Sequence, residues 1–71
     1  MTGRLTEYRY WSPTVGADVV RLSAFNERGH EFWMLLPDVG GARYRHKRQE
    51  AAEAIDTAIR MGLAPGEVRI Q

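Results

Sequence analysis

Residues 18 to 36 read DVVRLSAFNERGHEFWMLL, two runs of β-branched, apolar and aromatic residues on either side of Asn26-Glu27-Arg28-Gly29. That pattern predicts an antiparallel hairpin, with Gly29 placed to take the positive φ that closes a short turn. A loop of Glu27 to Gly29 sets Asn26 opposite His30 and so fixes the register of everything behind it. Ala24 then faces Phe32, Leu22 faces Met34 and Val20 faces Leu36, which puts these six apolar side chains on one side. Val19, Arg21, Ser23 and Phe25 share the other side with Glu31, Trp33 and Leu35. Both sides are bulky, and the rest of the chain must cover them.

What remains contains a single strong helical pattern. Ala51, Ala52, Ile55, Ala58 and Ile59 recur at helical spacing, with Gln49, Glu50, Glu53, Asp56, Thr57 and Arg60 opposite, which predicts a helix over 45–61. Gly62 stands where a C-terminal cap is favoured, and Pro65-Gly66 ends any continuation. Leu5 to Trp11 alternates and is aromatic-rich, hence a first strand, and Ser12 to Gly16 is its loop. Pro37-Asp38-Val39-Gly40-Gly41 breaks the sheet and reads as a flexible connection. Val68-Arg69-Ile70 offers a short closing strand. The expected fold is α+β: a three-stranded antiparallel sheet, four-stranded if the last segment joins, with one C-terminal helix on one face, in the order β-β-β-α(-β).

Length limits how that imbalance is resolved. A chain of 71 residues forms one domain, 1–71, since at this size only about 60% of the unfolded surface is buried and the core cannot be divided. The absence of cysteine excludes a disulfide scaffold, a thiol nucleophile and thiolate zinc sites. No apolar run approaches the roughly 18 residues of a membrane span, and Met1 to Leu5 shows no leader-peptide pattern, so a soluble cytoplasmic protein without a membrane partner is expected. Arginine occurs nine times against a single lysine, a skew that codon use in a GC-rich bacterial or phage genome produces. The formal net charge is only +1, which gives little long-range steering toward nucleic acid.

One helix covers one sheet face. The small alanines let it approach the side carrying Leu22, Phe32 and Met34. Phe25, Trp33 and Leu35 are left exposed, unless residues 1 to 7, the 12 to 17 loop or the 37 to 44 loop folds across them. In strand one, Tyr8 and Tyr10 lie on one side and Glu7, Arg9 and Trp11 on the other, with the partner strand unspecified. A contiguous exposed apolar patch marks an interaction site. The expected function is therefore a small non-enzymatic protein-binding module acting by surface occupation, with Arg21, Phe25, Glu31, Trp33 and Leu35 as the contact. Homodimerisation through the same face is a further expectation.

The alternative from another class is nucleic-acid binding. Arg43-Tyr44-Arg45-His46-Lys47-Arg48 is the densest basic stretch, and cations at a helix N-terminus oppose the macrodipole, so helix stability does not account for them. The order and size resemble the arm-type DNA-binding modules of phage integrases and the plant AP2 domain, which read the major groove with arginine and tryptophan on an open sheet face. That resemblance implies roles for Arg9, Trp11, Arg21 and Trp33; Glu7, Glu31, Phe25 and Leu35 depart from it. The full alternative set is Arg9, Trp11, Arg43, Arg45, Lys47 and Arg48.

Catalysis has no candidate residues. Ser12 and Ser23 lack a nucleophile-elbow context, and Gly40-Gly41 lacks the spacing and lysine of a phosphate loop. His30 and His46 read as solvated histidines, not metal ligands, so no cofactor and no metal are expected.

Overall fold

The computed structural model describes residues 4–69. The elements are β1 (Thr6–Ser12), β2 (Ala17–Phe25), β3 (Glu31–Pro37), α1 (Gly41–Arg60) and β4 (Gly66–Glu67), in a four-stranded sheet of order β1-β2-β3-β4. The β-β-β-α-β order is the one expected.

The central hairpin follows the predicted register: Ala24 opposes Phe32, Leu22 opposes Met34 and Val20 opposes Leu36. Local chemistry sets it. The Asn26 N–H donates to the His30 carbonyl at 3.1 Å and the Gly29 N–H to the Asn26 carbonyl at 3.0 Å. The Asn26 Oδ1 accepts from the Arg28 and His30 N–H groups, each at 2.9 Å. Gly29 sits at φ +82°, a conformation open to glycine and strained for residues with a Cβ. The β1–β2 turn works similarly, with Ser12 accepting from the Gly16 N–H through its carbonyl and from the Val15 N–H through its Oγ. That turn pairs Ser12 with Ala17 and so sets Tyr10 opposite Val19, Tyr8 opposite Arg21 and Thr6 opposite Ser23.

The helix covers one face as expected. Val20, Leu22, Ala24, Phe32, Met34 and Leu36 form a single core with Tyr44, Ala51, Ile55 and Ala58. Phe32, Leu22, Ile55 and Val20 are the largest of the fully buried side chains, each stabilising the fold by about 1.5–3 kcal/mol relative to exposure. Leu5, Ala52, Ala54, Ile59 and Val68 close its margins.

Pro37, expected to break the sheet, instead closes β3 opposite Val19, since a strand's last residue can do without a ladder N–H; two other boundaries differ from expectation by more than a residue. The helix begins at Gly41, not residue 45, because Gly40 and Gly41 both take positive φ and turn the chain sharply out of β3 into the helix. The basic hexapeptide therefore lies within the first two helical turns, and Tyr44 is carried down into the core. The fourth strand is Gly66–Glu67, paired parallel to β3 and extended by a bond from the Val68 N–H to the Trp33 carbonyl at 2.9 Å. It is parallel because α1 returns the chain to the end of the sheet where β3 begins. Of the expected 68–70 strand, Ile70 lies outside the described residues. The helix ends as predicted at Gly62: the Leu63 N–H bonds the Ala58 carbonyl and the Gly62 N–H the Ile59 carbonyl, the paired bonds of a Schellman cap. Among the described residues no helix is long and apolar enough to cross a membrane.

Candidate functional site

The side of the sheet away from α1 is built in rows by strand register. Tyr10, Val19 and Pro37 form the first row, and Tyr8, Arg21 and Leu35 the second. Thr6, Ser23, Trp33 and Glu67 form the third, and Phe25 and Glu31 the fourth. All five residues predicted as the protein contact, Arg21, Phe25, Glu31, Trp33 and Leu35, are thus on one surface.

Tyr8 and Tyr10 join them. Their rings lie 5.5 Å apart between centroids and tilted by 30°. The alternation of strand one showed that they share a side, but not which side. The missing signal was Gly16, whose left-handed turn fixes Ser12 against Ala17 and thereby aligns both tyrosines with Val19 and Arg21.

The surface is only partly open. Tyr8 is 66% exposed and Phe25 47%, whereas Trp33 and Leu35 are half-buried and Val19 is nearly sealed at 2% between Tyr10 and Pro37. The expectation that Trp33 and Leu35 lie bare is corrected, and among the described residues the cover is not a folded-over loop. Val15 and Val39, the large apolar residues of the two candidate loops, are themselves exposed, and Leu5 packs on the helix side. Residues 1 to 3 of the proposed N-terminal cover lie outside the described residues.

Arg21 supplies part of the cover. Its guanidinium lies over the Trp33 ring, 4.2 Å from the centroid, and reaches along the strand to Glu31 in a two-point fork: Nη2 to Oε1 at 2.7 Å and Nε to Oε2 at 3.3 Å. The planar cation stacks on the indole while its edge satisfies the carboxylate, a combination lysine lacks. The arginine is pinned flat and its charge neutralised. Beside it, the buried Ser23 hydroxyl is satisfied by Thr6 Oγ1 at 2.9 Å.

The helix-bearing side has different chemistry. Glu7 accepts from Arg48 on α1 and, through Oε1, from Arg9 Nη1 at 3.2 Å; Arg9 also lies 3.8 Å from Asp38 and stacks over Tyr44, 5.5 Å from its centroid. The hydrogen bond from Arg48 is the main reason the Glu7 carboxyl is held below its ordinary range, and the same bond raises Arg48. Burial, then the charge of Glu7, pushes the Tyr44 phenol up. Its hydroxyl is buried outside hydrogen-bonding geometry with any described group.

Arg9, Trp11, Arg43, Arg45, Lys47 and Arg48 all belong to strand positions or helical turns on this side, with Trp11 61% exposed. The structure does not bring Arg9 and Trp11 together with Arg21 and Trp33: the two pairs are on opposite sides of the sheet. His46 pairs with Glu50 one turn on, while Arg43, Arg45 and Lys47 enter no ion pair among the described residues. His30 is exposed beside the hairpin turn, and no three potential metal ligands cluster among the described residues. Comparisons with protein-family models, with curated proteins and with solved structures find no match to this chain.

Proposed function

We propose that this chain is a non-enzymatic protein-binding module that acts by placing its helix-free sheet face against a partner protein. The supporting observation is a continuous surface of Tyr8, Tyr10, Phe25, Trp33 and Leu35 whose central charges, Arg21 and Glu31, already satisfy each other. Aromatics and arginine dominate protein interface hot spots, and on strands their backbone entropy is already lost before binding. A neutralised arginine is poorly suited to phosphates, and Glu67 in the Trp33 row adds repulsion. The fitting partner is another protein, with an apolar patch against the indole and ring of Phe25 and acceptors for the tyrosine hydroxyls. The arginine skew favours a bacterial or phage setting.

Affinity capture from host extract tests this with wild type, Trp33→Ala and, as a helix-side control, Trp11→Ala. A protein retained by wild type and Trp11→Ala, and bound about 30-fold more weakly by Trp33→Ala, is the expected result. Equal retention by a folded Trp33→Ala, or no specific protein at all, would overturn it.

A second reading is favoured by one observation, that Arg43, Arg45 and Lys47, on the side that also carries Arg9 and Trp11, enter no ion pair among the described residues. It requires DNA affinity that falls steeply between low and moderate salt and is weakened by Arg45→Ala.

A further inference from the structure

The strand order leaves two sheet edges, and they differ in kind. β4 is two residues long and offers almost no ladder; β1 is seven residues long. Its free groups follow from the bonding pattern of its neighbours. The Asn26 N–H bonds the His30 carbonyl and the Asp38 N–H bonds the Asp18 carbonyl, so the even-numbered residues of β2 direct their backbone groups at β3. Because hydrogen-bonded and non-hydrogen-bonded pairs alternate in an antiparallel ladder, the odd-numbered residues of β2 bond to β1. Their partners are Thr6, Tyr8, Tyr10 and Ser12. Glu7, Arg9 and Trp11 therefore direct their N–H and C=O groups outward, where no described residue receives them.

Edges of this length are commonly blunted by proline, a bulge or charge. β1 contains no proline and its register with β2 runs without a bulge. Its two charges are of opposite sign, which makes them selective and not merely repulsive. Two identical strands related by a two-fold axis pair about one central residue. Centring on Glu7 or Arg9 sets like charges face to face, which is destabilising. Centring on Tyr8 sets Glu7 opposite Arg9 of the second copy, and Arg9 opposite its Glu7, at positions whose backbone groups point outward. It also sets Leu5 opposite Trp11, Thr6 opposite Tyr10, and Tyr8 against Tyr8 at the closely spaced non-hydrogen-bonded position.

We propose that β1 pairs antiparallel with β1 of a second copy of this chain, centred on Tyr8, forming a continuous eight-stranded sheet. Glu7 is equipped for it: one carboxylate oxygen stays with Arg48, while the other exchanges its own Arg9 for that of the second copy. The axis stands perpendicular to the sheet, so both helices lie on one side and the two aromatic surfaces join on the other. Edge pairing does not rest on the face-binding reading, and either can fail alone.

Sedimentation equilibrium of the full chain between about 1 and about 100 µM, at low salt, tests this. The expected result is a monomer–dimer equilibrium that Arg9→Glu weakens by about tenfold or more, through two new like-charge pairs. Trp33→Ala, on the face and away from the edge, leaves it unchanged. Since Arg9 also touches Tyr44, hydrogen exchange on wild type gives a second readout: the amides of Glu7, Arg9 and Trp11 become more protected as concentration rises. A monomer throughout the range, a dimer lost in Trp33→Ala but retained in Arg9→Glu, or amides at those positions indifferent to concentration would each overturn the proposal.

Discussion

Glu7 ties β1 to α1 with a carboxylate whose side chain is 24% exposed, and the cations around it keep it ionised to lower pH than in the unfolded chain. With the folded value depressed, the unfolded state binds the extra proton as pH falls, so the contribution is present at neutral pH and lost through the acid carboxylate range. Both side chains keep some water, which limits the effect to about 1 kcal/mol. Urea titrations between about pH 3 and pH 7 should show wild type losing stability on acidification, with a shallower slope for Glu7→Gln. Tyr44 gives a contrasting case. Its ring belongs to the core but its hydroxyl, buried near Glu7 and Arg48, is in hydrogen-bonding geometry with none of the described residues, so Tyr44→Phe keeps the packing and removes the desolvation cost. A gain of about 1 kcal/mol in chemical denaturation is expected, where losing a bonded hydroxyl would cost a similar amount.

Among the elements, α1 departs most from ideal chemistry. Gly40 at its N-cap offers no side-chain acceptor, the first turn has no acid, and Arg43, Arg45, His46, Lys47 and Arg48 crowd the positive end of the dipole. Ala42→Glu, at an exposed first-turn position, should stabilise the protein by about 0.5 kcal/mol, read as a raised midpoint in thermal or urea unfolding and diminished by added salt. The same departures explain why the helix start was illegible. Nothing in Gly40-Gly41 announces a helix, and basic residues argue against one, whereas packing of Tyr44 on the sheet overrides both. The central hairpin was legible because Asn26 and Gly29 specify one turn and the turn specifies every pair behind it. β4 was placed late and without its direction, since two residues carry no periodicity and strand polarity comes from where α1 delivers the chain.

At the scale of the molecule, stability is concentrated on one side of the sheet. Phe32 is 1% exposed at the centre of that core, and truncation to alanine costs about 3–5 kcal/mol, close to the whole stability of a domain this small. Phe32→Ala should be largely unfolded at 37 °C by circular dichroism, while Trp33→Ala, one residue on but facing away from α1, should retain the native spectrum. The two-sided pattern of β2 and β3 disclosed which residues share each surface, so Arg21, Phe25, Glu31, Trp33 and Leu35 were found together. It did not disclose the stacking of Arg21 over Trp33 or the sealing of Val19, which depend on side-chain reach and on neighbours from a strand whose pairing was unknown.

Strands adjacent in sequence are also adjacent in the sheet, all the way from β1 to β3, and only β4 arrives after a long detour. Assembly can thus proceed by successive short closures, each beginning at a turn that its own residues encode, with little chain entropy lost before contacts form. The main refolding phase should be rapid. The last two-residue strand should dock after the remainder and fray first, so the Val68 amide should exchange with solvent well before those of Leu22 and Met34.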